Sequence, residues 1–168
     1  ATRAAYQALT GVDPAGIDFK TDNAERRRWN QMRTEAIARY TARVRAALPA
    51  GVALGVYILP PEFVEVGQDA ALFAASVQQL APMCYFRDWG YAIEWLWTSC
   101  LPSTLVKAGS TPVALTLDAR LPDDEVLRIV ARLRADFPAV RTLVWFEHEQ
   151  WNEANLARLA RLSNPVPP

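Results

Sequence analysis

The sequence predicts an α/β domain of parallel βα repeats that forms about half of a (βα)8 barrel. Four apolar runs alternate with segments whose apolar residues recur every three or four positions, which is the period of a helix. The connections between these segments are short, which favours parallel strands joined by right-handed crossovers. No strand is followed by the glycine-rich turn of a doubly wound sheet, so we prefer a barrel to an open sheet.

The composition is that of one globular domain. Of the 168 residues, 51% are hydrophobic and 21% are charged, which supplies enough apolar side chains for a sizeable core. We predict one α/β domain over residues 1–162 and a proline-rich tail over 163–168. The 18 basic and 18 acidic residues balance, and the one dense basic cluster, Arg26 to Arg28, follows Glu25 on a predicted helix. These features argue against a nucleic-acid partner, and the lack of a long apolar stretch argues against a membrane span.

Capping signals and periodicity assign the elements in order. Asp22 and Glu25 have the spacing of a capping pair, and Pro49 stops the long amphipathic helix that follows. Gly11 and Gly109 fit the position after a helix end. The pattern predicts helices over 4–9, 22–48, 69–80, 91–107, 123–137 and 152–162, and strands over 52–59, 79–86, 112–117 and 140–146. The first strand is so apolar that we expect it to be covered on both faces.

The residues that follow the predicted strands are polar and aromatic. They are Tyr57 and Glu62, then Tyr85, Arg87, Asp88 and Trp89, then Asp118 and Arg120, and finally Glu147, His148, Glu149 and Trp151. The carboxyl ends of the strands in a (βα)8 TIM-type barrel meet at one face, and enzymes of this fold hold their sites there. We therefore expect these side chains to converge on one cleft.

The two cysteines and the single histidine do not predict a metal site. Cys84 and Cys100 lie 16 residues apart, and His148 has no second histidine to join it. A structural zinc site needs four clustered ligands, so we predict no metal and, without a phosphate-binding motif, no cofactor. A disulfide is possible, but the position of Cys84 inside an apolar strand favours a buried free thiol. The cysteines therefore leave the cellular compartment open.

Four segments, in their order and spacing, resemble a known family. The segments are Thr10-Gly11-Val12-Asp13-Pro14, Trp29 with Arg33, Val66-Gly67-Gln68-Asp69 and Ala81-Pro82-Met83-Cys84-Tyr85. Together they resemble the later part of bacterial glycoside-hydrolase-like TIM barrels, a group related to hydrolases that process exopolysaccharides. The resemblance covers roughly residues 5 to 160.

The resemblance implies a register and a function. The four strands would be the fifth to the eighth of the barrel, and the chain would act on or bind a bacterial polysaccharide outside the cytoplasm, in the periplasm or the extracellular space. The family's fourth strand usually carries an Asp and would precede Ala1, and Gln78-Gln79 stand where the family often has another Asp. We therefore expect the chain to be incomplete for catalysis without an N-terminal half.

Two carboxylates are the candidates for catalysis. Glycoside hydrolysis generally uses a pair, one as acid and the other as nucleophile or base. The resemblance places Asp118 at the exit of the seventh strand, where many retaining barrels carry one of the two; the alternative is an ordinary loop or cap carboxylate. Glu147, after the last strand, would serve as acid or bind a sugar hydroxyl, unless it only forms a salt bridge to an arginine.

Five further side chains are candidates for substrate binding. The aromatic ones would stack on sugar rings, although core packing is the default for any aromatic residue. The candidates are Tyr57, Tyr85, Trp89, Glu149 and Trp151. Trp29 and Arg33, one helical turn apart, are expected to tie their helix to the barrel rather than touch substrate.

Two functions from different classes fit the sequence. The first is a carbohydrate-active, glycoside-hydrolase-like barrel fragment. The second is a non-catalytic half-barrel module whose open sheet edges pair in a homodimer, giving a structural or binding role. A weaker third possibility is an enzyme of another barrel class.

Overall fold

The structure is a computed structural model that describes residues 2–60, 62–146 and 152–163. Its helices are α1 (Thr2–Thr10), α2 (Asn23–Ala47), α3 (Ala70–Ala74), α4 (Leu101–Ala108), α5 (Asp123–Asp136) and α6 (Glu153–Ser163). Its strands are β1 (Gly55–Ile58), β2 (Gln79–Pro82), β3 (Ala114–Asp118) and β4 (Thr142–Phe146). A π-helix, Leu96–Cys100, leads directly into α4, and two short 3-10 turns lie at Pro14–Gly16 and Val64–Val66. The predicted alternation of helices and strands is confirmed.

The long helix α2 begins where its sequence predicts. The Asp22 carboxylate accepts hydrogen bonds from the backbone N–H groups of Ala24 and Glu25, which satisfies donors that the first turn leaves unpaired. The helix packs against its neighbours through Trp29, whose ring lies 5.2 Å from that of Tyr6, and through Arg33, which donates to the Glu65 carbonyl. Trp29 and Arg33 therefore tie α2 to α1 and to the 3-10 turn at Val64–Val66.

The strands are parallel and neighbour each other in chain order. β1 pairs with β2, and β3 pairs with β4, both in parallel. Two isolated parallel bridges, Leu80 with Val113 and Met83 with Thr116, join β2 to β3. The protein is therefore a mixed α/β domain with short parallel strand pairs, and its described strands do not close into a barrel.

One face of the strands carries the hydrophobic core. Ile58, Leu80, Leu115 and Leu117 are fully or almost fully buried there against the helices. Because side chains alternate along a strand, the second face carries the residues between them. Those residues include Tyr57 on β1, Thr116 and Asp118 on β3, and Val144 and Phe146 on β4.

The second face is buried in the middle and open at the sides. Thr116 is fully buried and Asp118 is 9% exposed, whereas Tyr57 and Phe146 are 53% and 55% exposed. The prediction that the first strand is covered on both faces is therefore wrong. β1 is an outer strand, and among the described residues nothing buries its second face.

Two predicted helices differ in extent. The segment predicted as a helix over 69–80 is helical only over α3, because Gln78 donates its backbone N–H to the Leu54 carbonyl and so starts the pairing of β2. The stretch predicted over 91–107 becomes a π-helix followed by α4. Leu101 there bonds to the Leu96 carbonyl five residues back, directly before Pro102, which has no N–H to donate.

Cys84 and Cys100 form a disulfide, so the expectation of a buried free thiol at Cys84 is wrong. Cys84 follows β2 and Cys100 ends the π-helix, and both are fully buried. The bond links the end of a central strand to the helix that packs on it.

No helix among the described residues is both long enough and apolar enough to cross a lipid bilayer.

Candidate functional site

The site begins with Asp118, the last residue of β3. Its carboxylate accepts hydrogen bonds from Arg120 at the side-chain Nε and Nη2 atoms, the latter at 2.7 Å, and from the Arg120 backbone N–H, also at 2.7 Å. The two residues are two apart in sequence, so the guanidinium folds back over the carboxylate and binds both of its oxygens. Such a two-point contact restrains the carboxylate in position and in orientation.

Asp118 is held in its ionised form. Burial by itself would raise the pKa of this carboxyl, but the side-chain and backbone hydrogen bonds from Arg120, with the positive charges of Arg120 and Arg87, outweigh it and lower the pKa. An ionised carboxylate can act as a nucleophile, a base or an acceptor for a hydroxyl group. It cannot serve as the proton donor of an acid-catalysed step.

Arg120 also connects the exits of β2 and β3. The same Nη2 atom that binds Asp118 lies 3.3 Å from a carboxylate oxygen of Asp88. Next to Asp88, Arg87 forms an ion pair of 2.7 Å with Glu125 in the first turn of α5. Two carboxylates, Asp88 and Asp118, therefore share one guanidinium, and two ion pairs tie the turn after β2 to the segment after β3.

An aromatic pair lies across the same strand exits. The Tyr85 and Phe146 rings stack with centroids 5.2 Å apart and planes at 28°. Tyr85 follows β2 and Phe146 ends β4, and Phe146 is the register partner of Asp118. The pair therefore reaches across β3 beside the Asp118 carboxylate.

The phenol of Tyr85 keeps its proton across the physiological range. Burial, with the nearby Tyr57, Asp118 and Asp88, raises the pKa of Tyr85 to about 12. A protonated phenol can donate a hydrogen bond as well as accept one. Tyr85 thus adds a donor to a group of residues dominated by acceptors.

The structure describes two of the four other predicted binding residues, Tyr57 and Trp89. Tyr57 lies on the same sheet face, and it is close enough to affect the pKa of Tyr85. Trp89 lies at the edge of the site, where its ring makes a T-shaped contact of 4.2 Å with Phe63. Glu149 and Trp151, like the catalytic candidate Glu147 and like His148, lie outside the described residues, so the roles predicted for Glu147, Glu149 and Trp151 stay predictions.

Sequence reasoning missed Phe146 and the role of Arg120. The apolar run predicts Phe146 only as a strand residue, although alternation along β4 places it on the face opposite to Leu143 and Trp145. The sequence predicts Arg120 only as a residue at a strand exit. The Asp-x-Arg spacing of 118 and 120 is the available signal, because an Asp side chain in a turn accepts a hydrogen bond from the backbone N–H two residues later, which brings the two residues together.

The site is an open surface and not an enclosed pocket. The indentation lined by Cys84, Tyr85, Arg87, Asp88 and Asp118 is too shallow to enclose even a water molecule. Pockets that enclose a drug-sized ligand measure roughly 300–1,000 Å³. Among the described residues, no group of three or more metal-binding side chains is present.

Comparisons with known proteins leave the family open. No protein-family model matches the chain, and no curated protein matches it. What the fold and the site define is a class: an α/β domain that gathers an arginine-bound carboxylate and stacked aromatic rings at the carboxyl ends of parallel strands. The resemblance to glycoside-hydrolase-like barrels stays a prediction.

Proposed function

We propose that this protein is a carbohydrate-active half-barrel of the glycoside-hydrolase-like type, which binds a polysaccharide at the carboxyl ends of its strands. The observation that carries this proposal is the ionised Asp118 carboxylate, bound by Arg120, beside the Tyr85–Phe146 stack. Carboxylates accept hydrogen bonds from sugar hydroxyls, and aromatic rings pack against the apolar C–H faces of sugar rings.

The order of the strands supports the half-barrel part of the proposal. In a (βα)8 barrel, consecutive parallel strands are neighbours, whereas the order of strands in a doubly wound sheet reverses at a switch point. β1 to β4 follow the first arrangement, with hydrogen bonds or bridges between each consecutive pair. By this proposal they are the fifth to the eighth strands of the barrel.

The chemistry of Asp118 fits one half of a two-carboxylate mechanism. In retaining glycosidases the nucleophile is ionised, and the partner carboxylic acid lies about 5–5.5 Å away. Asp118 fits the nucleophile because Arg120 lowers its pKa. Glu147, which follows Phe146 in the sequence, is the proposed acid.

The disulfide supports a location outside the cytoplasm. Disulfides persist in oxidising compartments such as the periplasm and the extracellular space, and they are rare in the reducing cytosol. The Cys84–Cys100 bond agrees with the compartment that the family resemblance implies.

The direct test is to run the protein in native gels that contain neutral, anionic or amino-sugar polysaccharides. Binding slows the protein compared with its mobility in a gel without polysaccharide. We expect at least one polysaccharide to slow the protein, and Asp118→Asn to weaken the retardation several-fold. Asp136→Asn is the matched control, because it also removes a carboxylate paired with an arginine, Arg132, but at the far end of α5. Full mobility in every gel, or equal retardation of Asp118→Asn and the unchanged protein, contradicts the proposal.

A second candidate is a module without catalytic activity that forms a homodimer. The observation that favours it is the exposure of Tyr57 and Phe146 on the two outer strands. Each outer strand pairs with only one described strand, so its other edge is available to a second copy of this chain. Two copies would contribute eight strands, the number in a closed barrel of this type.

A further inference from the structure

A second cluster of polar and aromatic residues lies at the exits of β1 and β2. It is separate from the Asp118 site, which consists of Asp118, Arg120, Asp88, Tyr85 and Phe146. We call it the Glu62 rim, and it consists of Glu62, Tyr91, Trp95 and Ser99. Trp95 donates its indole N–H to the Glu62 carboxylate at 3.0 Å, and the Ser99 hydroxyl donates to the same carboxylate oxygen. The loop after β1 is therefore bound to the start of the π-helix through one carboxylate.

The charge of Glu62 is not neutralised within the described part of the chain. Asp118, Asp88 and Glu125 pair with arginines, whereas Glu62 is an exposed residue that receives its hydrogen bonds from two neutral donors. Both donors use the same oxygen, Oε1, and among the described residues no hydrogen bond reaches Oε2. Glu62 is thus a negatively charged acceptor whose orientation is fixed by its surroundings.

The aromatic part of the rim is a stacked pair. The rings of Tyr91 and Trp95 lie 4.7 Å apart, with planes at 15°. Trp95 is partly buried against the core, while Tyr91 is 39% exposed. Trp95 therefore connects the two, because its ring stacks on the partly exposed Tyr91 ring while its indole N–H donates to Glu62.

Direct contacts connect the Glu62 rim to the Asp118 site. Asp88 pairs with Arg120 of that site, and the next residue, Trp89, packs its ring against Phe63. Phe63 in turn follows Glu62 in the chain. The two clusters are thus neighbours along the same edge of the sheet, with the Trp89–Phe63 contact between them.

We propose that the Glu62 rim is a second carbohydrate subsite, so that the protein binds several consecutive sugars of a chain along the strand exits. One sugar ring packs on Tyr91, and its hydroxyl groups donate hydrogen bonds to the Glu62 carboxylate. The proposal rests on the proposed function, since it needs the Asp118 site to hold another part of the same chain. It predicts that affinity rises with the length of the oligosaccharide, because a longer chain reaches both subsites.

The test measures binding of cello- and chito-oligosaccharides of two to six sugars by calorimetry, with the Glu62→Gln and Tyr91→Ala variants. We expect the hexasaccharide of at least one series to bind more tightly than its disaccharide. Tyr91→Ala should lower the affinity for the hexasaccharide by about tenfold, and Glu62→Gln by about fivefold. Neither variant should change the affinity for the disaccharide held at the Asp118 site.

Two control variants separate the subsite from general effects. Glu94→Gln removes the charge of another exposed carboxylate near the π-helix, and Tyr40→Ala removes an exposed tyrosine from α2. Both should bind like the unchanged protein, and unchanged thermal unfolding of all four variants shows that they are folded. If the unchanged protein binds and the rim variants lose nothing, the second subsite is wrong and the proposed function stands. If the unchanged protein binds none of these oligosaccharides, the second subsite is wrong for both series, and if no polysaccharide slows it in the gels either, the proposed function is wrong as well.

Discussion

Asp118 shows how one neighbouring residue changes the chemistry of a carboxylate. Burial at the end of β3 favours the protonated form, which would suit a general acid. The two-point contact with Arg120 reverses this preference and keeps the group ionised. The sequence predicts a functional carboxylate at this position, but its protonation state follows from a contact that only the structure shows.

Tyr85 should make the stability of the fold depend on alkaline pH. The folded protein binds the phenol proton more tightly than the unfolded chain does, since its pKa is raised from 10.0 to about 12. The stability that this group contributes is intact below pH 10 and is lost as the pH rises from 10 through about 12. We expect Tyr85→Phe to flatten the fall in unfolding free energy over this interval, as measured by urea denaturation at several pH values. Tyr40→Phe is the control, and identical curves for Tyr85→Phe and the unchanged protein contradict the pKa shift.

Gly67 is needed both for its backbone conformation and for its lack of a side chain. Its φ is +76°, and a Cβ there would lie 3.2 Å from the Ile37 side chain and 3.3 Å from that of Arg33. We expect Gly67→Ala to lower the free energy of unfolding by about 2–3 kcal/mol, about 1–2 of it from the left-handed backbone. Gly11→Ala is the matched control, because Gly11 has the same φ with nothing within 4 Å. Equal losses in the two variants would show that the close approach of α2 contributes nothing.

At the scale of elements, the segment from β2 to α4 differs most from its sequence prediction. Helical periodicity continues from residue 69 towards 80, yet the helix ends at Ala74 because strand pairing takes over. The π-helix then brings Trp95 and Ser99 onto one carboxylate and Cys100 onto Cys84. This segment therefore supplies residues both to the Glu62 rim and to the indentation beside Asp118.

Loss of the disulfide should destabilise the fold. Closing a loop of about 15 residues restricts the unfolded chain and contributes roughly 3 kcal/mol, and the two cysteines here are 16 apart. We expect the double variant Cys84→Ala and Cys100→Ala, or reduction with a thiol, to lower the unfolding temperature by several degrees. Thiol titration of the unfolded, unreduced protein should detect no free thiol. Two titratable thiols, with no effect of reductant on the unfolding temperature, would overturn the pairing.

At the scale of the whole molecule, the sheet has one face covered by helices, a second face that is open at its sides, and two outer strands. The helices bury the core face, while Tyr57 and Phe146 on the other face remain more than half exposed. Exposed apolar groups beside strand edges favour the association of two chains, so the exposure of Tyr57 and Phe146 favours a homodimer.

If the second candidate function holds, sedimentation velocity should show a species of twice the 18.7 kDa chain mass. Phe146→Arg would place a charge in the interface and should raise the dissociation constant at least about tenfold. Tyr40→Arg, on α2, makes the same kind of change away from the sheet and should leave association unchanged. A monomer at every concentration contradicts self-association and favours the carbohydrate-binding candidate acting as a single chain.

Local signals in the sequence determined the order of the elements and many of their ends. Asp22 caps α2, Gly11 and Gly109 follow helix ends, and the apolar runs become strands, because caps and periodicity depend on residues only a few positions apart. The tertiary structure alone decided the pairing of Cys84 with Cys100, the early end of α3, and the meeting of Phe146 with Tyr85 beside Asp118. Each of these joins residues far apart in sequence, and such contacts depend on strand register and crossover geometry, which no local pattern encodes.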